Sequence, residues 1–439
     1  MLDRRAFIAS AAAAGLVPVR SLAQTSHDRT YGFPSGTRPF GPDVYRERRQ
    51  RLMERMKGGV ALVHAAPSID FTGGPTGRQD GDFAYLTGLM DEPGAVLLLA
   101  PGERRHREIL FLKHRDPEME RWEGSRLPIG EELRARTGFE RVLRTQWLGR
   151  TITDIAARAG ELHYLGALAS PDSAIPPALD LYGKVVARVP GTRIVNHHNF
   201  IRSMRAVKEP RELELMRKAI EATRRAQLAG MRAARPGMRE AELKAIVEAE
   251  FRAAGARGPA FPSIVAAGGN TAVLHYPGGD NIIQAGDMVL LDIGADVGFY
   301  AADVTRTFPV DGRFTPEQRQ VYDTVLRAHE SAAALLRPGA YFEDMQAAAD
   351  AVMTAAGKRD SFWHGLGHFV GLDVHDVGDL SQPLPTGSVL TIEPGIYLPE
   401  RGFGVRIEDE YLVTAGGHER LSRAIPRTAA EIEAVLASR

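Results

Sequence analysis

The chain of 439 residues contains no cysteine. This absence excludes disulfide scaffolds, thiolate-bound zinc, iron–sulfur clusters and thiol nucleophiles, so any metal must be held by oxygen and imidazole ligands. The chain also lacks an excess of basic charge, because Lys+Arg and Asp+Glu both number 55. Nucleic-acid binding depends on neutralising phosphates, and a nucleic-acid partner is therefore not expected.

Phosphate-binding loops and the nucleophile turn of serine hydrolases are missing as well. The sequence has neither a Gly-x4-Gly-Lys-Ser/Thr nor a Gly-x-Gly-x-x-Gly phosphate-binding loop, and it lacks the Gly-x-Ser-x-Gly turn of serine hydrolases. The composition, 44% hydrophobic and 25% charged, is typical of a soluble globular enzyme. The length exceeds one ordinary core and predicts two domains.

The amino terminus has the pattern of an export signal. Arg4 and Arg5 precede a short Ala-rich run that contains Pro18, and a small-residue cleavage site ends at Ala23. We interpret residues 1–23 as a twin-arginine signal peptide that directs the protein to the periplasm; an amphipathic helix with two chance arginines is the alternative. The run is too short to cross a bilayer, so no stable membrane span is expected.

Residues 24–42 are rich in Gly, Pro, Ser and Thr and are predicted to be a linker. Residues 43–203 then mix two kinds of pattern. Apolar runs at 60–64, 95–100 and 109–112 indicate strands, and helical patterns occupy 44–56, 130–137 and 152–159. This mixture predicts an α/β amino-terminal domain.

The remainder, residues 204–439, contains an internal repeat. An Arg-Pro-Gly turn at Arg235 followed by a helical pattern at 240–254 recurs as a turn at Arg337 followed by a helical pattern at 343–356. An apolar strand that ends in a carboxylate follows in each half, at 286–292 and 387–393. The repeat predicts two pseudo-symmetric αβ halves that face each other across a shared cleft.

Each half also places a histidine before its strand and a second carboxylate after it. The histidines are His275 and His375, and the four carboxylates are Asp292, Asp303, Glu393 and Glu408. Like charges a few ångströms apart cannot all ionise unless cations hold them together. Two divalent ions would neutralise four carboxylates, and one imidazole would complete a site that favours manganese, cobalt or iron(II).

The candidate imidazole ligands lie in a glycine-rich segment. His364 and His368 stand one helical turn apart, but Gly365 and Gly367 between them argue against a helix, and the pattern is not His-Glu-x-x-His. We predict an extended segment whose backbone approaches a crowded site closely. Three histidines in this short stretch, with His375 as the third, favour a functional role over a structural one.

Five segments resemble those of the pita-bread metallopeptidases, the family that includes methionine aminopeptidase, aminopeptidase P and prolidase. They lie at 291–294, 303–308, 364–368, 392–395 and 406–409. The likeness is strongest to the proline-specific members and covers about 205–420, and the run 78–88 is similar to one in the aminopeptidase P amino-terminal domain. The resemblance implies a pita-bread catalytic domain preceded by a creatinase-like α/β domain.

The resemblance also implies roles for single residues. Asp292 would chelate one of two divalent ions, Asp303 and Glu408 would bridge the pair, and His368 and Glu393 would complete the two sides. Manganese is the expected metal, with cobalt, iron(II) or zinc as alternatives. A metal-bridging hydroxide would cleave the bond before proline in proline-containing peptides, with Glu393 transferring the proton. His275 and His375 would bind substrate carbonyls or the oxyanion.

Further residues would shape the pocket. By resemblance His364 would line the proline side, Arg406 would pair with a ligand carboxylate rather than lie on a strand surface, and Trp122 would enter a neighbouring subunit's pocket in a homo-oligomer, dimer or tetramer. Arg401, if not an ordinary loop residue, would meet the free carboxylate of a dipeptide. We favour an Xaa-Pro aminopeptidase on the amino-terminal domain.

Three alternatives remain open. A prolidase would use Arg401, and the short loops between His375 and Glu408 leave the preference on the acceptor side undecided. An inactive pita-bread module that binds peptides is disfavoured because such modules lose metal ligands. A non-peptidase relative of the creatinase kind is disfavoured because it would lack part of the carboxylate set.

Overall fold

A computed structural model describes residues 38–68, 78–123 and 126–439. The predicted signal peptide, 1–23, and most of the predicted linker, 24–42, lie outside these residues. In the part of the chain that is described, no helix combines the length and apolar character that crossing a bilayer requires.

The first part of the chain forms one six-stranded mixed sheet in the order β4-β3-β2-β1-β5-β6. Its strands are β1 (Val60–His64), β2 (Val96–Leu99), β3 (Glu108–Leu112), β4 (Val142–Arg144), β5 (Glu161–Tyr164) and β6 (Arg193–Asn196). Its helices are α1 (Pro42–Met56), α2 (Gly81–Thr87), α3 (Glu120–Glu123), α4 (Glu131–Thr137), α5 (Leu148–Ala159), α6 (Pro177–Val186) and α7 (Asn199–Ala206). The apolar runs and helical patterns of the sequence correspond to these elements.

Both faces of this sheet are covered, because alternate side chains of each strand point to opposite faces. Val60 and Leu62 of β1 pack in one apolar cluster with α5 and α6. Ala61 and Val63 belong to a second cluster that also includes residues of the carboxyl-terminal part, such as Tyr300. The sheet is therefore packed against the rest of the molecule by one face.

The carboxyl-terminal part consists of long helices around small antiparallel sheets. The helices are α8 (Pro210–Ala233), α9 (Glu240–Ala253), α10 (Pro316–Ala333), α11 (Phe342–Ala355) and α12 (Ala429–Leu436). The strands are β7 (Gly258–Pro259), β8 (Ile264–Ala267), β9 (Met288–Ile293), β10 (Ala295–Val297), β11 (Tyr300–Ala301), β12 (Val304–Pro309), β13 (Val389–Ile392), β14 (Gly395–Leu398), β15 (Phe403–Arg406), β16 (Asp409–Thr414) and β17 (Gly417–Arg420).

The predicted repeat is confirmed in three dimensions. Each half has a long helix, a shorter helix and an antiparallel pair of strands. The first half has α8, α9 and the pair of β9 with β12, and the second has α10, α11 and the pair of β13 with β16. The helices that the sequence placed at 240–254 and 343–356 each lie within one residue of α9 and α11. Both strand pairs direct a carboxylate-bearing end toward the same cleft.

The two parts of the chain meet through buried charges. The predicted boundary between 203 and 204 falls within α7 and stays a prediction. Just beyond it, Arg205 forms ion pairs with Asp82 of α2 at 2.7 Å and with Asp373 at 2.6 Å, and it also pairs with Asp376. Lys208 adds a 2.8 Å contact to Asp376. These pairs fix the loop that carries His375.

Candidate metal centre

Strand register brings the first two carboxylates together. Antiparallel pairing of β9 with β12 sets Asp292 opposite Thr305. Asp303 lies two residues before Thr305, and residues two apart on an extended chain share one face. Both carboxylates therefore point to the same side of the sheet.

The second half of the repeat supplies the other two. Glu393 directly follows β13, and Glu408 directly precedes its partner β16. The Thr305 hydroxyl donates to Glu408 Oε2 at 2.6 Å, which ties the second pair of strands to the first. Four carboxylates from two half-domains thus converge on one cleft.

His368 faces this group of acids. Its Nε2 lies 3.5 Å from Asp303 Oδ2 and 3.4 Å from Glu393 Oε1. Asp303, His368 and Glu408 each offer a ligand atom, and these atoms all lie within 4.8 Å of one another. Asp292 Oδ1 and Asp303 Oδ1 are buried without a hydrogen-bond partner. Orphaned buried carboxylate oxygens beside an imidazole fit a site for divalent cations.

The electrostatics of the cluster support the same conclusion. Burial, and then Glu408 and the other acids, raises the pKa of Asp303 well above its usual value. Burial also raises the pKa of Glu408 well above its usual value and that of Glu393 to about 8. The same burial lowers the pKa of His368 to about 4, with His375 adding to the effect. The raised pKa values show that the negative charges of the acids are uncompensated within the protein, and a cation would compensate them. The lowered pKa of His368 keeps its imidazole neutral, which is the form that binds a metal.

Arg406 supports the centre from one side. Only 3% of the residue is exposed, and its Nη2 donates to Asp292 Oδ2 at 2.6 Å. Its Nη1 donates to the Tyr397 hydroxyl at 2.9 Å, which lies 2.7 Å from His364 Nε2. Since the guanidinium can only donate, the Tyr397 proton goes to His364 Nε2, and His364 Nδ1 donates to the Gly365 carbonyl at 2.8 Å. The reading of Arg406 as a surface residue is excluded.

The remaining histidines surround the same cleft. The rings of His368 and His375 are 4.2 Å apart, edge to face. Burial lowers the pKa of His375, and the charge of His275 lowers it further, so these two side chains are near each other. Burial lowers the pKa of His364 to about 4, and His275 contributes there as well. The structure therefore gathers all four predicted histidines around the carboxylates.

Two predicted residues lie outside this assembly within the chain. Trp122 on α3 is 81% exposed. Arg401 has a side chain that is 62% exposed, and its Nε lies 3.4 Å from Glu317 Oε1. Neither residue contacts the carboxylate cluster, and the roles that the resemblance implies for them stay predictions.

Sequence reasoning missed Tyr397, which joins Arg406 to His364, and Thr305, which donates to Glu408 and accepts from Arg406 Nε. Thr305 lies two residues after Asp303, and strand periodicity could have placed it on the ligand face. Tyr397 lies on β14, where Gly395 pairs with Arg406 of β15. The sequence offers no sign of that register, because it depends on pairing between separate strands.

Comparisons with known proteins agree with this geometry. Residues 214–415 match the model of metallopeptidase family M24, and residues 45–164 match that of the aminopeptidase P amino-terminal domain. The chain is 35% identical to the Xaa-Pro aminopeptidase of Escherichia coli, over 89% of this chain and 97% of that protein. Among solved structures, aminopeptidase PepP from Pseudomonas aeruginosa superposes with a TM-score of 0.79 at 34% identity, covering 91% of this chain and 98% of that one. Zinc-substituted Escherichia coli aminopeptidase P in complex with product gives a TM-score of 0.80 at 32% identity, covering 91% and 99%.

Proposed function

The chain belongs to the M24 metallopeptidases that carry an aminopeptidase P amino-terminal domain, and from this premise we propose that two divalent ions serve its cleavage of the bond before proline. Membership confirms the predicted fold class, an α/β domain followed by a pita-bread domain of two αβ halves, and the protein is a peptidase of the Xaa-Pro aminopeptidase type. The observation that carries the proposal is the convergence of three buried carboxylates, of the partly buried Glu393 and of His368 on one cleft.

The ligand assignment follows from the chemistry of this set. Asp292, Asp303, His368, Glu393 and Glu408 would hold the ions, and the orphaned Oδ1 atoms of both aspartates supply further donors. Divalent ions bound there would lower the pKa of water so that hydroxide forms near neutral pH. Oxygen ligands with a single imidazole favour manganese, and cobalt, iron(II) or zinc would also fit.

The chain's own side chains complete the reaction. Glu393 takes the proton that the attacking water loses and transfers it to the departing proline nitrogen. His275 and His375 donate hydrogen bonds to the substrate carbonyl as negative charge develops on its oxygen. His364, which Tyr397 holds through its Nε2, lines the proline side of the cleft. Arg406 keeps Asp292 oriented through the charge-assisted hydrogen bond from its Nη2 to Oδ2.

We also propose that the active unit is a homo-oligomer. Trp122 is 81% exposed, and Met119, three residues earlier, is 46% exposed. An exposed tryptophan beside a second apolar side chain is typical of a contact surface. Analytical ultracentrifugation of the purified protein and of Trp122→Ala tests this: the wild-type protein should sediment as a dimer or tetramer, and the variant should lose both assembly and activity. A monomeric, active wild type would contradict the proposal.

Export to the periplasm is a further proposal, and its support is the sequence of residues 1–23 alone. Replacing Arg4 and Arg5 by lysine should retain the protein in the cytoplasm of a bacterial host with twin-arginine transport. Cell fractionation of both forms measures this, and equal periplasmic amounts would contradict it.

The activity is tested with an Xaa-Pro dipeptide and an Xaa-Pro-Xaa tripeptide, each with EDTA and then with added manganese. Release of the amino-terminal residue from the tripeptide, abolished by EDTA and restored by manganese, is the expected result. Asp303→Asn should lower activity by at least about 100-fold, because one of the carboxylates that would hold the ions is lost. Asp323→Asn, which alters a half-exposed carboxylate on α10, is the matched control and should retain activity.

Two other outcomes would change the conclusion. Cleavage of the dipeptide alone would favour a prolidase and give Arg401 the role of binding its free carboxylate. Metal binding without turnover of either peptide would favour an inactive binding module.

A further inference from the structure

The side chain of His275 is exposed and forms no hydrogen bond with any residue that the structure describes. It lies in the segment between β8 and β9. Unlike His275, the residues on either side of it form hydrogen bonds with other parts of the molecule. The Leu274 carbonyl accepts from Arg406 Nη2 at 3.5 Å, and the Tyr276 hydroxyl donates to Glu240 Oε2 at 2.9 Å. The position of His275 therefore depends on contacts made by the residues beside it.

Glu240 is the centre of these contacts. It is the first residue of α9 and is 1% exposed. Its Oε1 accepts three further hydrogen bonds, from Ala267 N at 2.7 Å, from Asn270 Nδ2 at 3.1 Å and from Asn281 Nδ2 at 3.2 Å. One carboxylate thus holds both ends of the segment that carries His275, as well as Tyr276 within it.

The charge of Glu240 is compensated by these donors and by the amino terminus of α9. Among the described residues no basic side chain forms an ion pair with it. Hydrogen bonds to a buried carboxylate are strong because the acceptor is charged and shielded from water. Loss of a single hydrogen-bond donor to Glu240 should therefore change the position of the whole segment that carries His275.

Packing alone does not fix this segment. A cavity of about 270 Å³ lies beside the contact, lined by Glu240, Lys244, Val265 and the loop 277–280. Gly278 adopts a left-handed backbone conformation, with φ of 86°, and a Cβ at this position would meet no atom within 4 Å. Room for movement on this side means that the hydrogen bonds of Glu240 decide where His275 lies.

Resting on the proposed function, we propose that Glu240 and Tyr276 are positioning residues that hold His275 at the substrate carbonyl. They do not touch the substrate. They act by keeping the backbone around His275 in the one place from which its ring reaches the cleft, since a displacement of about 1 Å can cost about 100-fold in rate.

Tyr276→Phe is the most direct test, because it removes one hydroxyl and keeps the ring. In the metal-loaded enzyme kcat for the tripeptide should fall about tenfold with KM nearly unchanged. Glu240→Ala should lower kcat by about 100-fold, whereas Glu240→Gln should rescue most of it. Its amide oxygen can keep the three amide donors, and its amide nitrogen can donate to the Tyr276 oxygen.

The matched control is Tyr182→Phe. That hydroxyl is also buried and donates to the His163 carbonyl at 3.0 Å, but Tyr182 lies on α6, which packs against the amino-terminal sheet. The substitution should lower thermal stability without changing kcat. An equal fall in kcat for Tyr182→Phe and Tyr276→Phe would mean that general destabilisation explains both, and the proposal would be overturned.

A double-mutant cycle with His275→Ala shows whether the effect passes through His275. Tyr276→Phe should add no further loss in that background, and an undiminished tenfold loss would overturn the proposal. Hydrogen exchange of the 268–281 amides gives a second readout, since Tyr276→Phe should accelerate it and Tyr182→Phe should not. Faster exchange with unchanged kcat would overturn the positioning role and leave the proposed function intact. A wild-type enzyme without peptidase activity would overturn both.

Discussion

At the scale of single residues, His329 shows how burial decides whether a group carries charge. It lies on α10, fully buried, and its Nδ1 accepts from Arg427 Nη1 at 3.2 Å. Its Nε2 is 3.5 Å from Asp409 Oδ2. Burial lowers the pKa of His329 to about 3, Asp409 opposes this shift, and Arg427 and Arg306 reinforce it. The imidazole is therefore neutral in the folded protein at every pH where the enzyme is expected to work.

This predicts a pH-dependent stability. Below a pH of about 6.5 the unfolded chain binds a proton at His329 that the folded chain does not, so stability is full above that pH and is lost as pH falls toward 3. At pH 5 the loss from this group is roughly 2 kcal/mol. His329→Gln can keep both contacts but does not titrate. Urea unfolding in EDTA at pH 7.5 and pH 5 should show a smaller acid loss for the variant than for the wild type.

His114→Gln is the control for this measurement, because His114 is exposed. Its acid loss should equal that of the wild type. If His329→Gln and the wild type lost the same unfolding free energy between pH 7.5 and pH 5, the conclusion that the buried His329 is neutral would be contradicted.

At the scale of elements, the segment that carries His364 and His368 is extended, as its glycines predict, and not helical. It lies against β13: His368 N donates to Thr391 Oγ1 at 3.0 Å, and Thr391 N donates to the His368 carbonyl at 2.8 Å. A Cβ on Gly367 would lie 2.2 Å from the Thr391 carbonyl oxygen. Gly367 is thus required for the close approach that brings His368 to the carboxylates.

Gly367→Ala should push this segment away from β13. We expect a loss of about 3 kcal/mol or more in unfolding free energy, because the clash is with backbone, and a fall in manganese affinity of at least about tenfold. Thermal unfolding and calorimetric titration with manganese measure the two effects.

Gly365→Ala is the matched control, since a Cβ there meets no atom within 4 Å. It should be close to wild type in both measurements. Equal behaviour of the two variants would show that the approach of Gly367 to β13 does not position His368.

At the scale of the whole molecule, one arginine of the amino-terminal part binds both halves of the repeat. Arg78 Nη1 donates to the Ala260 carbonyl at 3.1 Å, and Nη2 donates to the carbonyls of Phe299 and Leu372 at 2.9 Å. It also lies 3.3 Å from Asp296 Oδ2. The planar guanidinium of Arg78 donates to carbonyls from separate loops, and the single ammonium group of a lysine could not reproduce that geometry.

Arg78→Lys should therefore loosen the docking of the two parts. We expect a loss of about 2–3 kcal/mol and a separation of the unfolding transitions that far-UV circular dichroism and tryptophan fluorescence report. Arg105→Lys, at an exposed position, should leave a single transition. Coincident transitions at wild-type stability for Arg78→Lys would show that the two parts are held together by other contacts.

Much of the architecture could be predicted because its signals are local. Apolar runs predicted β1, β2 and β3, three of the six strands of the first sheet. The Arg-Pro-Gly turns predicted the starts of α9 and α11 to within one residue. Contacts between distant residues could not be predicted in this way. Arg205 pairs with Asp82, more than a hundred residues away in the chain. Neither segment contains a sequence pattern that indicates this contact.

The sequence by itself determined which atoms could hold a metal, because a chain without cysteine that repeats a strand ending in a carboxylate leaves oxygen and imidazole as ligands. It also determined that the same order of helices and strands occurs twice, since each half of the repeat has the same sequence pattern. Only the tertiary structure decided that Arg406 lies buried against Asp292, that Tyr397 joins it to His364, and that Glu240 holds the segment around His275. These contacts depend on strand register and on the packing of elements from both halves, and such relations are set when the whole chain folds.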